Sequence, residues 1–373
     1  EIEKSIFLAG PSLRPNQSGI SWRVKALQIL QLLEYDGIVF VPENENNIFS
    51  DDFDFNKQVE WETKCLQVAD NIIVYLNRNI ESGLLGLTTN EEWGYWKGSG
   101  KCILITEHDA DKVRYQEWWA NELKVPTFHD LYNGIKHCIS IQVNSPRTNG
   151  ERYIPQEIWN MDSFQSWYQS HKKLGNYIES AKVLHYYRIP SNNKVFAFSL
   201  CANIYIKDEN RFKNNEFVFT RSDISSCLLY KKNENILESE IILVSEFRTP
   251  VANSKGKVYE IPGGSSFKSG VDMKEIIIDE IKEETGFQLD LIKLTYQQSR
   301  QLAATILTHK SHLYSYSLSD LEMTYFKTNE GKVFGNIEDT EQCTLHIVKV
   351  KDIIKNDLLD WSNLGQILSI LNN

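Results

Sequence analysis

The 373-residue sequence lacks the features that mark several classes of protein. No segment approaches the roughly 18 consecutive apolar residues of a membrane-spanning helix, and the apolar stretch Ile6–Ala9 is too short for a signal peptide. Glycine and proline are modest in number and no heptad repeat persists, which excludes collagen-like and coiled-coil rods. We therefore expect a cytoplasmic protein with no membrane partner.

Cysteine pairs and basic charge are also scarce. The six cysteines are spread widely and none forms a Cys-x-x-Cys pair. Zinc sites and disulfide frameworks need closer spacing, so we expect reduced, buried thiols. The formal net charge of −10 argues against a nucleic-acid partner, because displacing counterions requires a basic surface. Small phosphorylated ligands remain possible, since they need only a local cluster of donors or a metal.

The first 140 residues alternate short apolar runs with amphipathic stretches. Length and a hydrophobic fraction of 41% allow two or three domains, each with its own core. The alternation predicts an α/β domain with a parallel, doubly wound sheet, whose ligands bind at the carboxyl ends of the strands. The predicted strands are Ile6–Ala9, Ile38–Val41, Asn71–Leu76 and Cys102–Thr106, and the predicted helices are Trp22–Tyr35, Gln58–Ala69 and one starting at Glu91. In the first helix, the apolar residues at helical spacing are Val24, Leu27, Leu30 and Leu33.

A polar passage, Asn144–Glu151, interrupts this alternation and predicts a linker. From about Val183 the sequence becomes rich in β-strand patterns, with one acidic amphipathic helix at Met273–Thr285, which indicates an α+β domain. We therefore predict a first domain at 1–143, a linker and helical connector at 144–182, and a second domain at 183–373.

Three fragments stand at the ends of predicted strands. They are Ile6-Phe-Leu-Ala-Gly-Pro11, Gln58-Val-Glu-Trp-Glu62 and Gly86-Leu-Thr-Thr-Asn-Glu-Glu-Trp-Gly94. In this order and spacing they resemble the nucleoside 2-deoxyribosyltransferase family over roughly residues 5–140. The resemblance implies cleavage or transfer of an N-glycosidic bond, in which a carboxylate traps the oxocarbenium-like sugar as a covalent intermediate.

The resemblance assigns roles to individual residues of this domain. Glu92 is the expected nucleophile, and Asp70 is the expected acid that holds the sugar or carries a proton to the base. The alternative for Glu92 is an acidic residue that only complements the dipole at a helix start. Its neighbour Glu91 points about 100° away around a helix, so only one of the two can face the pocket.

Substrate contacts are expected from a second group of residues. The expected substrate-binding residues are Gly10, Trp61 and Asn90, with Trp61 or Trp93 stacking on a nucleobase. Arg14 and Arg23 are candidates for holding a 5′-phosphate, with a solvated surface role as the alternative. The classical transferases complete each site from a neighbouring subunit, which implies a homo-oligomer of at least two copies. Because this domain continues into a linker and a second domain, hydrolysis of a nucleoside or nucleotide is an alternative to base exchange.

A second acidic motif lies in the predicted helix Met273–Thr285. Glu280, Glu283 and Glu284 share one face of that helix. Like charges at this spacing destabilise a helix unless a cation neutralises them, and carboxylates suit Mg²⁺ or Mn²⁺ bridging a diphosphate. A solvated acidic face is the alternative.

The surroundings of this motif resemble the Nudix hydrolase family. Glu246-Phe-Arg-Thr-Pro-Val251 and Val258-Tyr-Glu-Ile-Pro-Gly-Gly264 are similar to its ADP-ribose pyrophosphatase branch, and the resemblance covers about 184–373. It implies an α/β/α sandwich that hydrolyses a nucleoside diphosphate derivative such as ADP-ribose. The three glutamates would hold the metal, with Glu284 also catalytic, the Gly263 carbonyl as a further ligand and Arg248 on the substrate.

The motif departs from the family pattern at several positions. Asp279 replaces the arginine before the first metal-binding glutamate, Val271 replaces an early glutamate, and the loop after Gly264 is one residue longer. In the family that arginine and the early glutamate commonly form a structural pair, and the loss of both indicates that the loop has been rebuilt. The general base stays open among Glu338, Glu341, His309 and His312, and the histidines are more typical of structural residues.

Two functions follow from these motifs. The first is a bifunctional enzyme of nucleotide metabolism, with small-molecule nucleoside and nucleotide substrates for both domains. The second is a glycosidic domain regulated by a second domain that binds ADP-ribose or a related nucleotide without hydrolysing it.

Overall fold

The computed structural model describes residues 4–13, 19–43, 54–143, 146–190, 192–253, 255–266, 270–335, 342–356 and 359–372. The chain divides into two units, Glu1–Phe217 and Val218–Asn373. Residues 183–217, which the sequence groups with the second domain, thus lie in the first unit. Among the described helices, none is both long and apolar enough to cross a membrane.

A five-stranded parallel sheet forms the centre of the first unit. Its strands are β1 (Ser5–Ala9), β2 (Ile38–Phe40), β3 (Asn71–Leu76), β4 (Cys102–Thr106) and β5 (Thr127–Phe128). Their spatial order is β2-β1-β3-β4-β5, and all pairings are parallel. The order reverses between β1 and β3, so a ligand crevice is expected outside the carboxyl ends of these two strands. The predicted doubly wound fold is confirmed.

Helices cover both faces of this sheet. They are α1 (Trp22–Leu32), α2 (Phe55–Val68), α3 (Leu87–Trp96), α4 (Arg114–Glu122) and α5 (Leu131–Ile141). Helices α1 and α5 pack on one face, and α2, α3 and α4 pack on the other. Because alternate strand residues point to opposite faces, Ile6 and Leu8 join the first core and Phe7 and Ala9 join the second.

The apolar face predicted for the first helix is rotated in the structure. Val24 and Leu27, expected in the core, are 45% and 41% exposed. The buried residues of α1 are Trp22, Arg23, Ala26, Ile29 and Leu30. Contacts beyond the helix set this rotation, because the Trp22 indole N–H donates to the Pro11 carbonyl at 3.1 Å. Hydrophobic spacing alone carries no information about such a bond, and the prediction of the Val24 face is wrong.

The passage predicted as a polar linker packs back onto the first unit over its described residues. A short 3-10 helix spans Asn149–Tyr153, and Arg147 and Arg152 are buried. Both guanidinium groups pair with Asp70, and the Arg152 Nη2 to Asp70 Oδ2 distance is 2.9 Å. The backbone N–H of Ser5, at the start of β1, donates to the same carboxylate at 2.7 Å. These charges hold the passage in place, so it is not a solvated spacer.

A separate three-stranded sheet follows in the chain, and its last strand runs past Phe217, where the first unit ends. After α6 (Gln156–Trp159) and α7 (Asp162–Lys173) come β6 (Tyr177–Arg188), β7 (Val195–Ile206) and β8 (Arg211–Arg221), in that spatial order. The rings of Phe164 on α7 and Phe198 on β7 lie 6.2 Å apart. A Cβ on Gly150 would lie 2.3 Å from the Glu179 backbone, so glycine permits the close approach of β6. These contacts explain why the early β-strands belong with the first unit.

A mixed sheet between two helical layers forms the second unit. Its described strands are β9 (Ile224–Lys231), β10 (Glu240–Phe247), β11 (Lys257–Glu260), β12 (Gly263–Gly264), β13 (Thr295–Gln301), β14 (Lys310–Ser317), β15 (Val333–Phe334) and β16 (Cys343–Lys349). Its helices are α8 (Met273–Thr285), α9 (Asp320–Asn329), α10 (Val350–Asn356) and α11 (Trp361–Leu371). Helices α8 and α9 cover one face, and α10 and α11 cover the other. The predicted three-layer arrangement is confirmed.

Replacing Asp70 with alanine tests the ion-pair cluster of the first unit. The guanidinium groups of Arg147 and Arg152 would then stay buried without their counter-charge, which costs about 3–5 kcal/mol. We expect urea unfolding, followed by tryptophan fluorescence, to show a loss of stability of that order. Glu209→Gln is the control, because its ion pair with Arg211 is exposed and should contribute far less. Equal effects of the two substitutions would contradict this account of the cluster.

Candidate active sites

The carboxyl end of β1 packs closely against its neighbours at Gly10. A Cβ at this position would lie 2.6 Å from the Trp22 ring and 2.8 Å from the Tyr75 carbonyl oxygen. Such distances exclude any side chain, so glycine lets α1 and β3 meet at the point where the strand order reverses. Gly10, an expected substrate-binding residue, therefore shapes the crevice through its small size.

Arg23 fixes the loop that follows β1. Its Nε donates to the Leu8 carbonyl at 3.0 Å and its Nη2 to the Gly10 carbonyl at 2.7 Å. Its Nη1 donates to Glu43 at 2.7 Å and to Ser12 at 3.0 Å. The side chain is only 3% exposed, so its guanidinium has no open face for a ligand. The structure thus does not make Arg23 available for a 5′-phosphate, and the other candidate, Arg14, lies outside the described residues.

Helix α3 carries Glu92 to the same edge of the sheet. The helix begins at Leu87, four residues before the predicted start, so Glu92 is in its second turn and does not complement the helix dipole at the first turn. Its N-cap, Gly86, has φ of +62°, and a Cβ there would lie 2.8 Å from the Pro11 ring. The start of α3 therefore lies against the loop after β1. Glu92 is half-buried while its neighbour Glu91 is exposed.

The electrostatics around Glu92 involve two other charged side chains. Burial, together with the nearby Glu62 carboxylate and against the opposing charge of Arg23, raises the pKa of Glu92 to about 7. Glu62 lies on α2, where it accepts a hydrogen bond from the Gln58 side chain at 2.8 Å. A carboxyl group with this pKa is partly ionised at neutral pH. Glu92 can therefore act as a nucleophile or exchange a proton.

Glu62 is a site residue that the sequence analysis left without a role. It stands in the fragment Gln58–Glu62, which contributes to the family resemblance. The signal that could have found it is the Gln58–Glu62 spacing of four, which places both side chains on one helix face. Which face meets the crevice depends on how α2 packs.

Asn90 and Trp93 are engaged by the protein itself, whereas Trp61 is exposed. The Asn90 side-chain oxygen accepts from Arg78 at 2.6 Å and from Gln116 at 2.9 Å, so protein groups already hold it. Trp93 lies in the hydrophobic core and is a packing residue. Trp61 is 41% exposed on α2, which leaves a ring surface for a base.

Asp70 lies at the opposite end of β3 from the crevice. It precedes the strand and bonds to Ser5 at the start of β1, whereas the Glu92 region adjoins the loop after β1. The charges that shift the pKa of Glu92 are those of Glu62 and Arg23 and not that of Asp70, so the structure does not bring Asp70 to Glu92. This placement corrects the catalytic assignment, because the Asp70 charge is committed to Arg147 and Arg152.

The acidic helix of the second unit is bounded as predicted. Asp272 caps the start of α8 by accepting from the Lys274 N–H at 2.9 Å. Gly286 ends the helix with φ of +66°, and its N–H donates to the Lys282 carbonyl. Both signals are local, so Met273–Thr285 could be predicted without knowledge of the tertiary fold.

Two glycines let this helix approach the sheet. The Gly263 N–H donates to Glu284 Oε2 at 2.9 Å. A Cβ on Gly264 would lie 2.4 Å from Glu280 Oε1, so the Glu280 carboxylate lies directly against the β12 backbone. The pair Gly263-Gly264 thus sets the position of both carboxylates.

These two carboxylates lie close together in partly buried surroundings. Burial raises the pKa of Glu284 well above its ordinary value, and the Glu280 carboxylate adds to this rise. A divalent cation would relieve the repulsion, and carboxylate oxygens are suitable ligands for Mg²⁺ or Mn²⁺. Glu283 is exposed, and no three acidic, His or Cys side chains among the described residues are placed to hold a metal together. The chemistry fits a cation on Glu280 and Glu284, but the predicted set of three is not assembled.

The remaining candidates of the second unit have defined partners. Arg248 pairs with Glu246 at 3.0 Å and with Glu260 at 3.1 Å, and its side chain is 43% exposed. His312 Nε2 lies 3.0 Å from Asp223, which indicates a structural role. Burial lowers the pKa of His309 to about 4. The other general-base candidates, Glu338 and Glu341, lie outside the described residues.

Substitution Glu62→Gln tests the coupling between Glu62 and Glu92. Removing the negative charge lowers the cost of ionising Glu92, so its pKa should fall from about 7 toward the ordinary value for glutamate. Carbon-13 NMR of the Glu92 carboxyl group during a pH titration measures this change. Glu60→Gln, an exposed position on the same helix, should leave the Glu92 pKa unchanged. A Glu92 pKa that does not respond to Glu62→Gln would contradict the arrangement.

Comparison with known proteins supports part of the sequence interpretation. No curated protein sequence matches the chain significantly. A solved structure described as "Crystal structure of ADP compounds hydrolase" is 12% identical, covers 53% of this chain and 92% of its own, and has a TM-score of 0.35. Because this similarity is low, the interpretation of the second site rests on the residues of the site itself. Residues 3–110 match the model of the family described as "Nucleoside 2-deoxyribosyltransferase like", so the resemblance of the N-terminal fragments is confirmed.

Proposed function

We propose that the protein is a bifunctional enzyme of nucleotide metabolism. The first unit would cleave or transfer the N-glycosidic bond of a nucleoside or nucleotide through Glu92. The second would hydrolyse a nucleoside diphosphate derivative such as ADP-ribose with Mg²⁺ or Mn²⁺. The proposal includes assembly into at least a dimer in the cytoplasm, and no nucleic-acid or membrane partner.

The half-buried Glu92 beside the strand-order reversal is the observation that carries the first activity. It lies within the segment that matches an enzyme family acting on nucleosides. Its carboxylate would attack the anomeric carbon, forming a glycosyl ester as the bond to the base breaks with its electron pair. Water or a second base would then displace Glu92 from the sugar.

Arg23 supports this reaction through its positive charge. Its charge favours the ionised form of Glu92, and bonds to the carbonyls of Leu8 and Gly10 keep it fixed. A fixed charge needs no reorganisation as the reaction proceeds, which makes its contribution larger than in water. Arg23 is thus a positioning residue that does not touch the substrate.

Substitution Glu92→Gln tests the glycosidic activity on a panel of nucleosides and nucleotides, with and without an acceptor base. We expect base release, measured by liquid chromatography, to fall at least about 1,000-fold, because the nucleophile is lost. In the unsubstituted protein kcat/KM should rise with pH through about 7, since attack requires the ionised carboxylate. Glu91→Gln, at the exposed neighbour, should keep full activity. Base release that survives Glu92→Gln would refute the assignment, and a requirement for the acceptor would identify a transferase.

The second activity depends on the carboxylates beside β12. A bound divalent cation, held by Glu280 and Glu284, would neutralise the negative charge of a diphosphate. The Gly263 N–H orients the Glu284 carboxylate. Arg248, which is partly exposed and paired with Glu260, would contact the anionic substrate.

A sensor function for the second unit is the competing candidate. It is favoured by the exposed Glu283 and by Val271 and Asp279, which depart from the Nudix pattern that this segment resembles. Such a unit would bind ADP-ribose and leave it intact.

Incubation of ADP-ribose with Mg²⁺ separates hydrolysis from sensing. Hydrolysis should release AMP, and Glu284→Gln should reduce that rate at least about 100-fold, because a charged oxygen ligand is lost. Glu275→Gln is the matched control, an exposed glutamate on the same helix. Calorimetric binding of ADP-ribose without AMP release by the unsubstituted protein would support the sensor and contradict the hydrolase.

A further inference from the structure

The outer edge of β5 is unpaired among the described strands. β5 is the last strand in the order β2-β1-β3-β4-β5. On its inner side, the Leu104 N–H of β4 donates to the Pro126 carbonyl at 2.9 Å, and Leu104 lies opposite Thr127. Because the backbone groups of successive strand residues point to alternate sides, the N–H and carbonyl of Thr127 point away from β4. An incoming strand would meet these two groups.

Open space adjoins this edge on both faces of the sheet. A cavity of about 540 Å³ lies on the side of α4, where Glu117 and Asn121 line it. A second cavity, of about 580 Å³, lies on the side of α5, where Asn133 and Lys136 line it. Thr127 borders both cavities and is exposed. An added strand, whose side chains alternate between the two faces, therefore has room on each.

The charged residues on either side of Thr127 are opposite in sign. Lys124 stands three residues before Thr127 and Asp130 three residues after it, and both are exposed. If two copies of β5 pair antiparallel with Thr127 opposite itself, each Lys124 faces Asp130 of the partner subunit. A parallel pairing in the same register would place like charges opposite each other, which is unfavourable. The charge pattern thus fits a second copy of the same edge, related by a two-fold axis.

We infer that a second copy of this chain binds at β5, and that the two sheets join through an antiparallel β5–β5 pair centred on Thr127. The two Thr127 residues exchange both backbone hydrogen bonds, and the two pairs of Lys124 and Asp130 set the register. This inference rests on the dimer included in the proposed function and names its surface. β5 lies two strands from β3, so the interface uses none of the residues proposed for the glycosidic activity.

Cross-linking tests the position of the two-fold axis. In a hydrogen-bonded antiparallel pair, opposite Cα atoms lie about 5.5 Å apart, which is within the range of a disulfide. Thr127→Cys should therefore give a covalent dimer under mild oxidation, seen on a non-reducing gel. Lys64→Cys, at an exposed position on α2, is the control and should stay monomeric on the gel. Background from the natural cysteines is low, because five of the six are buried.

Charge reversal tests the register of the pair. Lys124→Glu places carboxylates opposite each other at both ends, so the dissociation constant of the dimer, measured by analytical ultracentrifugation, should rise at least about ten-fold. Adding Asp130→Lys restores opposite charges and should recover most of the affinity. Lys64→Glu makes the same change in net charge and should leave the dissociation constant unchanged. Because Asp130 also caps α5, thermal unfolding verifies that the double variant is folded.

Two outcomes overturn the inference and leave the proposed dimer in place. One is a dissociation constant that Lys124→Glu does not change, and the other is a Thr127→Cys variant that cross-links no better than Lys64→Cys. A chain that stays monomeric at every concentration contradicts both the inference and the proposed dimer. Base release measured on the same samples keeps these results separate from the glycosidic function, since none of the substitutions touches its proposed residues.

Discussion

The buried guanidinium of Arg23 is the interaction on which the first unit's crevice depends. It donates hydrogen bonds to the carbonyls of Leu8 and Gly10 at the end of β1, and it pairs with Glu43. A backbone end at the reversal of strand order has carbonyls without strand partners, and these must be satisfied if the region is buried. Arg23 satisfies them while placing a positive charge near Glu92. One side chain thus stabilises the end of β1 and favours the ionised form of Glu92, the proposed nucleophile.

In the second unit, the close approach of a helix to the strand backbone positions the carboxylates. The glycines of β12 admit the acidic face of α8, and a backbone N–H orients Glu284. The approach buries like charges together, which raises the pKa of Glu284. In the second unit, carboxylates in costly positions thus lie next to glycines that larger residues could not replace, which is typical of functional sites.

Sequence patterns predicted most of the secondary structure near both sites. Strands Asn71–Leu76 and Cys102–Thr106 and helix Met273–Thr285 have the predicted bounds. Their signals are local, since continuous apolar runs mark buried parallel strands and an Asx cap with a glycine marks the ends of a helix. The start of α3 was misplaced because the left-handed Gly86 cap packs on Pro11, a contact distant in sequence.

The sequence by itself determined the types of residue available for chemistry and the elements that carry them, because both follow from motif and periodicity. Only the tertiary structure decided which residues meet. It places Asp70 in ion pairs with Arg147 and Arg152, and it places the Glu62 charge near enough to Glu92 to raise the Glu92 pKa. The sequence alone does not distinguish the role of an aspartate that precedes a strand from the role of a glutamate on a helix. Their difference lies in which end of the sheet each one reaches, and strand order and helix packing fix that end.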